Sequence, residues 1–141
     1  MEFTIRAMTI ADYDSVFQIW QQTENIGLSQ ADSPERIAAY LERNPGLSFI
    51  AVQDEKIVGA ILSGHDSRRG FIHHLAILPE YRRQGIGESL VSHCLEGLKN
   101  IGIDRCHIFV YQANKSGIRF WEKQGWFRRD ELLPMSYNLP D

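Results

Sequence analysis

The sequence predicts an α/β fold, an α+β mixed sheet with helices on both faces, and three observations predict it. Short apolar runs with strand alternation are interleaved with longer stretches of helical period, in the order β α α β β β α β α β β. Three consecutive strand-like runs in the middle of the chain are separated by short polar breaks, the pattern of antiparallel neighbours. Apolar residues make up 43% and charged residues 23%, an ordinary globular balance. At 141 residues the chain fits one domain, residues 1–141, able to bury about 70% of the surface its unfolded form would expose.

The elements follow in order. Phe3-Thr4-Ile5-Arg6-Ala7 alternates and reads as a first strand; Thr9-Ile10-Ala11-Asp12 has the form of a capping box, so a helix should begin there. Val16, Phe17 and Trp20 recur on one face of that helix, and the polar stretch Glu24 to Asp32 ends it. Ser33-Pro34-Glu35 restarts a helix, with Ser33 as cap and Pro34 at the first helical position, and Asn44-Pro45-Gly46 closes it. Ser48 to Gln53 and Ile57 to Ser63 read as a hairpin around Asp54-Glu55-Lys56. A break at Asp66 to Gly70 leads into a third strand, Phe71 to Leu78.

Leu90, Val91, Cys94, Leu95 and Leu98 then form a helical stripe that closes near Gly102. Arg105 to Tyr111 alternates as a strand, and Asn114 is placed to cap a last helix carrying Ile118, Phe120 and Trp121 and stopping near Gly125. Trp126 to Arg128 and Met135 to Leu139 are expected as two final strands.

Composition narrows the function. The N-terminal residues lack the long apolar core of a signal peptide, and no apolar run approaches the roughly 20 residues that span a bilayer, so a cytoplasmic location with no membrane partner is expected. Net charge is −3, which argues against general attraction to nucleic acid. Cys94 and Cys106 match neither a metal motif nor a disulfide framework and read as buried, reduced thiols; no metal site is expected.

The stretch Arg82-Arg83-Gln84-Gly85-Ile86-Gly87 lies between a strand and a helix. A glycine-bearing turn that opens a helix gathers unpaired N–H groups and the positive end of the helix dipole around one point, an anion site suited to phosphate.

With that turn in place, Leu75-Ala76-Ile77-Leu78-Pro79-Glu80-Tyr81 before it and Asn114-Lys115-Ser116-Gly117-Ile118-Arg119-Phe120-Trp121-Glu122-Lys123-Gln124-Gly125-Trp126 after it, the chain resembles the GNAT superfamily of N-acetyltransferases over nearly its whole length. The resemblance implies a GNAT-like acyl-CoA N-acyltransferase fold and an acetyl-CoA co-substrate. Its pyrophosphate would lie on the N–H groups of Arg83 to Gly87 with Arg82 and Arg83 nearby. Its pantetheine arm would pair with the backbone of Leu75, Ala76 and Ile77, facing a gap toward Val110 and Tyr111. Asn114 would serve both as helix cap and in binding pantetheine. The implied reaction moves the acetyl group to a primary amine of a small molecule or peptide by direct attack in a ternary complex.

Three groups are then needed. A backbone N–H near Leu75 to Ile77 can polarise the thioester carbonyl. For the base, members of the family often carry a carboxylate on this strand, whereas Phe71-Ile72-His73-His74 has none; histidine titrates near neutrality, and His73 is the favoured base. Strand alternation sets His73 on the face of Phe71 and Leu75, with His74 opposite. Trp121 stands where the family usually has a Tyr that protonates the thiolate, and an indole N–H is far too weak an acid; either the thiolate leaves unprotonated and takes a proton from water, or another residue supplies it, with Tyr111 the candidate. Glu24 and Glu35 are candidates for holding a cationic acceptor.

Two rivals remain. A dinucleotide oxidoreductase also uses a Gly-x-Gly turn, but here the third glycine and the acidic residue ending the next strand are missing. The second is a module that binds acetyl-CoA without turnover, as a sensor or partner subunit. Met135 to Leu139 is a candidate strand for pairing across a homodimer edge.

Overall fold

A computed structural model describes residues 2–140, in two units, Met1–Phe109 and Val110–Asp141. The first unit holds a five-stranded mixed sheet in the order β1-β2-β3-β4-β5. Its strands are β1 (Thr4–Ala7), β2 (Phe49–Gln53), β3 (Lys56–His65), β4 (Gly70–Ile77) and β5 (Cys106–His107). The first four are antiparallel neighbours, and β4 pairs with β5 in parallel. The crossover that a parallel pair requires is α3 (Ile86–Asn100).

Helices α1 (Tyr13–Gln22) and α2 (Pro34–Arg43) cover one face of the sheet. Val16, Ile19 and Trp20 of α1 and Ile37 of α2 pack with Ile50, Ala60, Leu62 and Ala76 in one buried cluster. The capping box before α1 forms: the Thr9 N–H donates to Asp12 Oδ2 at 2.9 Å, although a 3-10 turn, Ile10–Asp12, precedes the α-helix. Asp12 also takes a bidentate bond from Arg6 at 2.8 and 2.9 Å, which holds its carboxyl below the usual carboxylate range. Ser33 caps α2 as expected, accepting from the Arg36 N–H at 3.3 Å with Pro34 in the first turn. On the opposite face, Ile86 of α3 meets the position where Gly59 of β3 lacks a side chain.

The second unit contains α4 (Lys115–Lys123). Asn114 caps it, its side chain accepting from the Gly117 N–H at 3.0 Å. The helix stops where Gly125 takes a left-handed φ of +96°.

Three strand expectations need correction. The run Arg105 to Tyr111 is a strand only at Cys106–His107, and neither Trp126 to Arg128 nor Met135 to Leu139 forms one. The expected order therefore loses its last two strands. Leu133, Met135, Tyr137 and Leu139 are all more than 80% exposed. Alternation states which face an extended segment would bury, but a strand exists only where a neighbouring backbone accepts its hydrogen bonds.

Candidate active site

The β4–β5 ladder consists of Gly70 opposite Cys106 and Phe71 opposite His107, and it stops there. Beyond Phe71, β4 runs on to Ile77 beside β3 alone, so the far edge of Leu75 to Ile77 has no strand on it within this unit. An extended ligand with its own amides can pair with such an edge. Leu75 and Ile77 are half-buried and Ala76 is buried in the α1–α2 cluster, so their side chains pack while the edge stays open.

Where β4 ends, Pro79–Tyr81 makes one 3-10 turn and Arg82 to Gly85 forms the expected loop. Arg83 and Gly85 both have left-handed backbones, φ +66° and +86°. Gly85 is the N-cap of α3 and no side chain caps this helix, so the N–H groups of its first turn have no side-chain acceptor. A Cβ on Gly85 would meet nothing within 4 Å. The glycine is therefore required by its φ and faces open space, as a cradle for an anion must. Arg83, Gln84 and Gly85 are exposed while Ile86 and Gly87 are buried in the helix foundation.

Arg82 does not stand free over this loop. Its Nε donates to the Ile77 carbonyl at 2.9 Å, and its Nη1 pairs with Glu24 at 3.1 Å. Glu24, singled out as an acceptor-binding carboxylate, is thus engaged with the loop that follows β4, and its carboxyl is held low by a backbone hydrogen bond and by Arg82. Glu35 lies exposed in the first turn of α2.

The two histidines depart from simple alternation. Ala60 pairs with Ala76 and Leu62 with His73, so one β3 residue, Ile61, opposes both His74 and Leu75: a bulge on β4. His74 adopts a left-handed φ of +53° to make it. As a result His74 is not on the face opposite His73. The His73 ring lies 6.2 Å from Tyr40 of α2, and the His74 ring lies 4.9 Å from Trp20 of α1. Both imidazoles meet the same helical layer because the bulge inserts one residue and resets the period. Burial lowers the His73 pKa, with His74 lowering it further and Asp32 opposing, so the ring is neutral with a free lone pair at pH 7.

His74 also has a partner that sequence reading missed. Its Nε2 lies 2.8 Å from Asp32 Oδ1, and Asp32 is buried. The Ser29-x-x-Asp32 spacing signals a capping box, which the structure contains, but nothing local signals a bond across 42 positions. Trp20 Nε1 and Tyr40 Oη, on the rings that touch the histidines, are buried and find no hydrogen-bond partner among the described residues. Burial drives the Tyr40 hydroxyl pKa upward, so it stays protonated.

Tyr111 and Asn114 belong to the second unit; Tyr111 is exposed, and its carbonyl accepts from the Asn114 N–H at 3.0 Å. Trp121 stacks edge-on with Phe120 and Trp126 at 5.2 and 4.9 Å. Burial pushes the Cys94 thiol up to about 12 and Cys106 up to about 11, which keeps both as inert thiols. Among the described residues no His, Cys, Asp and Glu cluster suited to a metal occurs, and no helix is long and apolar enough to cross a membrane.

Comparison with known proteins gives a consistent picture. The acetyltransferase (GNAT) family matches residues 13–126. An acetyltransferase of Sodalis glossinidius is 28% identical over 136 residues, 96% of this chain and 94% of that protein. Among solved structures, the PaiA N-acetyltransferase of Thermoplasma acidophilum in complex with coenzyme A superposes with a TM-score of 0.75 at 23% identity, covering 87% of this chain and 88% of that one. The ribosomal-protein-S18-alanine N-acetyltransferase of Escherichia coli gives 0.74 at 23% identity, covering 88% of this chain and 77% of its own.

Proposed function

This chain belongs to the acetyltransferase (GNAT) family of acetyl-CoA-dependent enzymes, and from that premise we propose that it transfers an acetyl group to a primary amine of a small molecule or peptide by direct attack in a ternary complex. The observation that carries the reading is the junction of an open β4 edge with an uncapped helix: Leu75 to Ile77 offer strand backbone on one side and α3 offers free N–H groups on the other. Acetyl-CoA, when bound, supplies an activated acyl thioester and a pyrophosphate handle.

The chain's own residues have distinct tasks. The N–H groups of Arg83, Gln84, Gly85, Ile86 and Gly87 receive phosphate oxygens at the positive end of the α3 dipole. Arg82, tied to the Ile77 carbonyl, holds the loop to the end of β4 and adds positive charge. Leu75, Ala76 and Ile77 hold the extended arm by their backbone, and an N–H of this segment polarises the acyl oxygen. His73, kept neutral by burial, takes the proton from the attacking amine. By the family resemblance Tyr111 is assigned the return of a proton to the departing thiolate, and Asn114 the support of the arm.

Retention of the neutral His73 beside the β4 bulge favours an enzyme over a module that only binds acetyl-CoA. The acceptor is a cationic amine, in keeping with the net acidic chain. Purified protein should release thiol from acetyl-CoA only when a suitable amine is present, across a panel of peptides, polyamines, amino acids and aminoglycosides. Binding of acetyl-CoA without thiol release from any amine would instead assign the non-catalytic module.

A further inference from the structure

Asp32 occupies a junction that the capping turn alone does not require. Its Oδ2 accepts the Ser29 N–H at 3.0 Å, closing the 3-10 turn that leads into α2. Its main-chain oxygen accepts the Tyr13 hydroxyl at 2.5 Å, which brings in α1. Its Oδ1 meets His74 Nε2 at 2.8 Å, which brings in β4. An exposed turn keeps its cap without burying a carboxylate, whereas the Asp32 side chain is only 9% exposed and spends its second oxygen on the bulge residue.

The bulge is the feature that needs holding. A left-handed histidine is an uncommon backbone state for an L residue, and slipping it out would shift Leu75 to Ile77 by one position and turn every side chain to the other face. The His74 ring is gripped by Trp20 at 4.9 Å and by Asp32, while Tyr40 of the helix that follows Asp32 lies against the neighbouring His73. One helical layer therefore touches both histidines, His73 by ring contact and His74 by ring contact and a hydrogen bond.

We propose that Asp32 is a positioning residue: through His74 it holds the β4 bulge in register, and so aims His73 and the backbone of Leu75 at the reacting amine and acyl carbon. The inference rests on the acetyltransferase reading. Because a carboxylate accepts hydrogen bonds and donates none, His74 carries a proton on Nε2, toward Asp32.

Thiol release by the full wild-type chain is measured first, and its absence with every amine defeats the acetyltransferase reading itself. With activity in hand, Asp32→Ala and His74→Ala should each lower kcat by about tenfold to a hundredfold, with a smaller change in the KM for acetyl-CoA, since the phosphate loop is untouched. The double variant should be no slower than either single one, as for two residues that act as a unit. His74→Asn, which tolerates a left-handed backbone and keeps an N–H donor, should return most of the rate lost in His74→Ala. Wild-type kcat in folded Asp32→Ala, or multiplied losses in the double variant, would overturn the proposal. Nitrogen NMR of the wild-type imidazoles gives a second measurement that needs no variant to fold and no turnover: a proton on His74 Nε2, shielded from exchange, is expected. An Nε2 without a proton would show that Asp32 does not hold the ring.

Discussion

The turn that follows β4, proposed as a phosphate cradle, and the histidine wall at the middle of that strand are made of different material. From Ile77 to Gly87 the working groups are backbone: a splayed edge, two left-handed residues and a helix end with no side-chain cap. Around His73 and His74 they are side chains drawn from α1, the turn before α2, α2 itself and β4. A backbone site depends on conformation and tolerates changes in side-chain identity; a side-chain site depends on a few atoms brought together from distant positions. Substitutions should therefore separate cofactor affinity at one end from turnover at the other.

The largest separation is expected at His73. His73→Ala should lower kcat by about a hundredfold or more, the usual scale for a general base, with acetyl-CoA affinity unchanged by calorimetry. The pH profile sharpens the same point. The base works in its neutral form and burial lowers its pKa below the ordinary 6.5, so the ratio of wild-type to His73→Ala activity with one amine, in which the amine's own titration cancels, should hold down to pH 6.5 and fall only in more acidic solution. A fall that begins above pH 7 would remove His73 as the base.

At the cradle, Gly85→Val should reverse the pattern. A branched residue at φ +86° is strained, and its side chain would enter the open space proposed to hold phosphate. Acetyl-CoA affinity should drop at least about tenfold, corresponding to 1.4 kcal/mol or more, while the melting temperature falls by only a few degrees. Retained affinity would break the assignment of the loop.

The smallest effect is expected where the two ends are linked. Glu24 and Arg82 form a pair whose side chains are 66% and 36% exposed, and such surface pairs contribute at most about 1 kcal/mol. Glu24→Gln should change the KM for acetyl-CoA by less than about fivefold, and moderate salt should erase the difference. A large effect would mean that the loop is held by this contact and not by the Arg82 bond to Ile77.

Legibility follows the same division. The loop Arg82 to Gly87, the cap at Asn114, the Ser33-Pro34 start of α2 and the stop at Gly125 were readable because each is a local motif whose residues dictate their own conformation. The bulge was not readable: His74 carries a positive φ with no glycine to announce it, and alternation therefore misplaced its side chain. Asp32 escaped for another reason, since its visible role in a capping box conceals a bond made 42 positions away. At the C-terminal end the error ran the other way, because Met135 to Leu139 has the alternation of a strand and no ladder.

By itself, then, the sequence determined the element types through Leu98, the mixed α/β class and the glycine turn that opens α3, all of which arise from interactions within a few residues. Tertiary structure alone decided where β4 leaves β5, which face His74 occupies, and that Asp32 and Arg82 find partners on other elements. Those outcomes depend on strand pairing and on packing between segments far apart in the chain, where no local pattern specifies the neighbour.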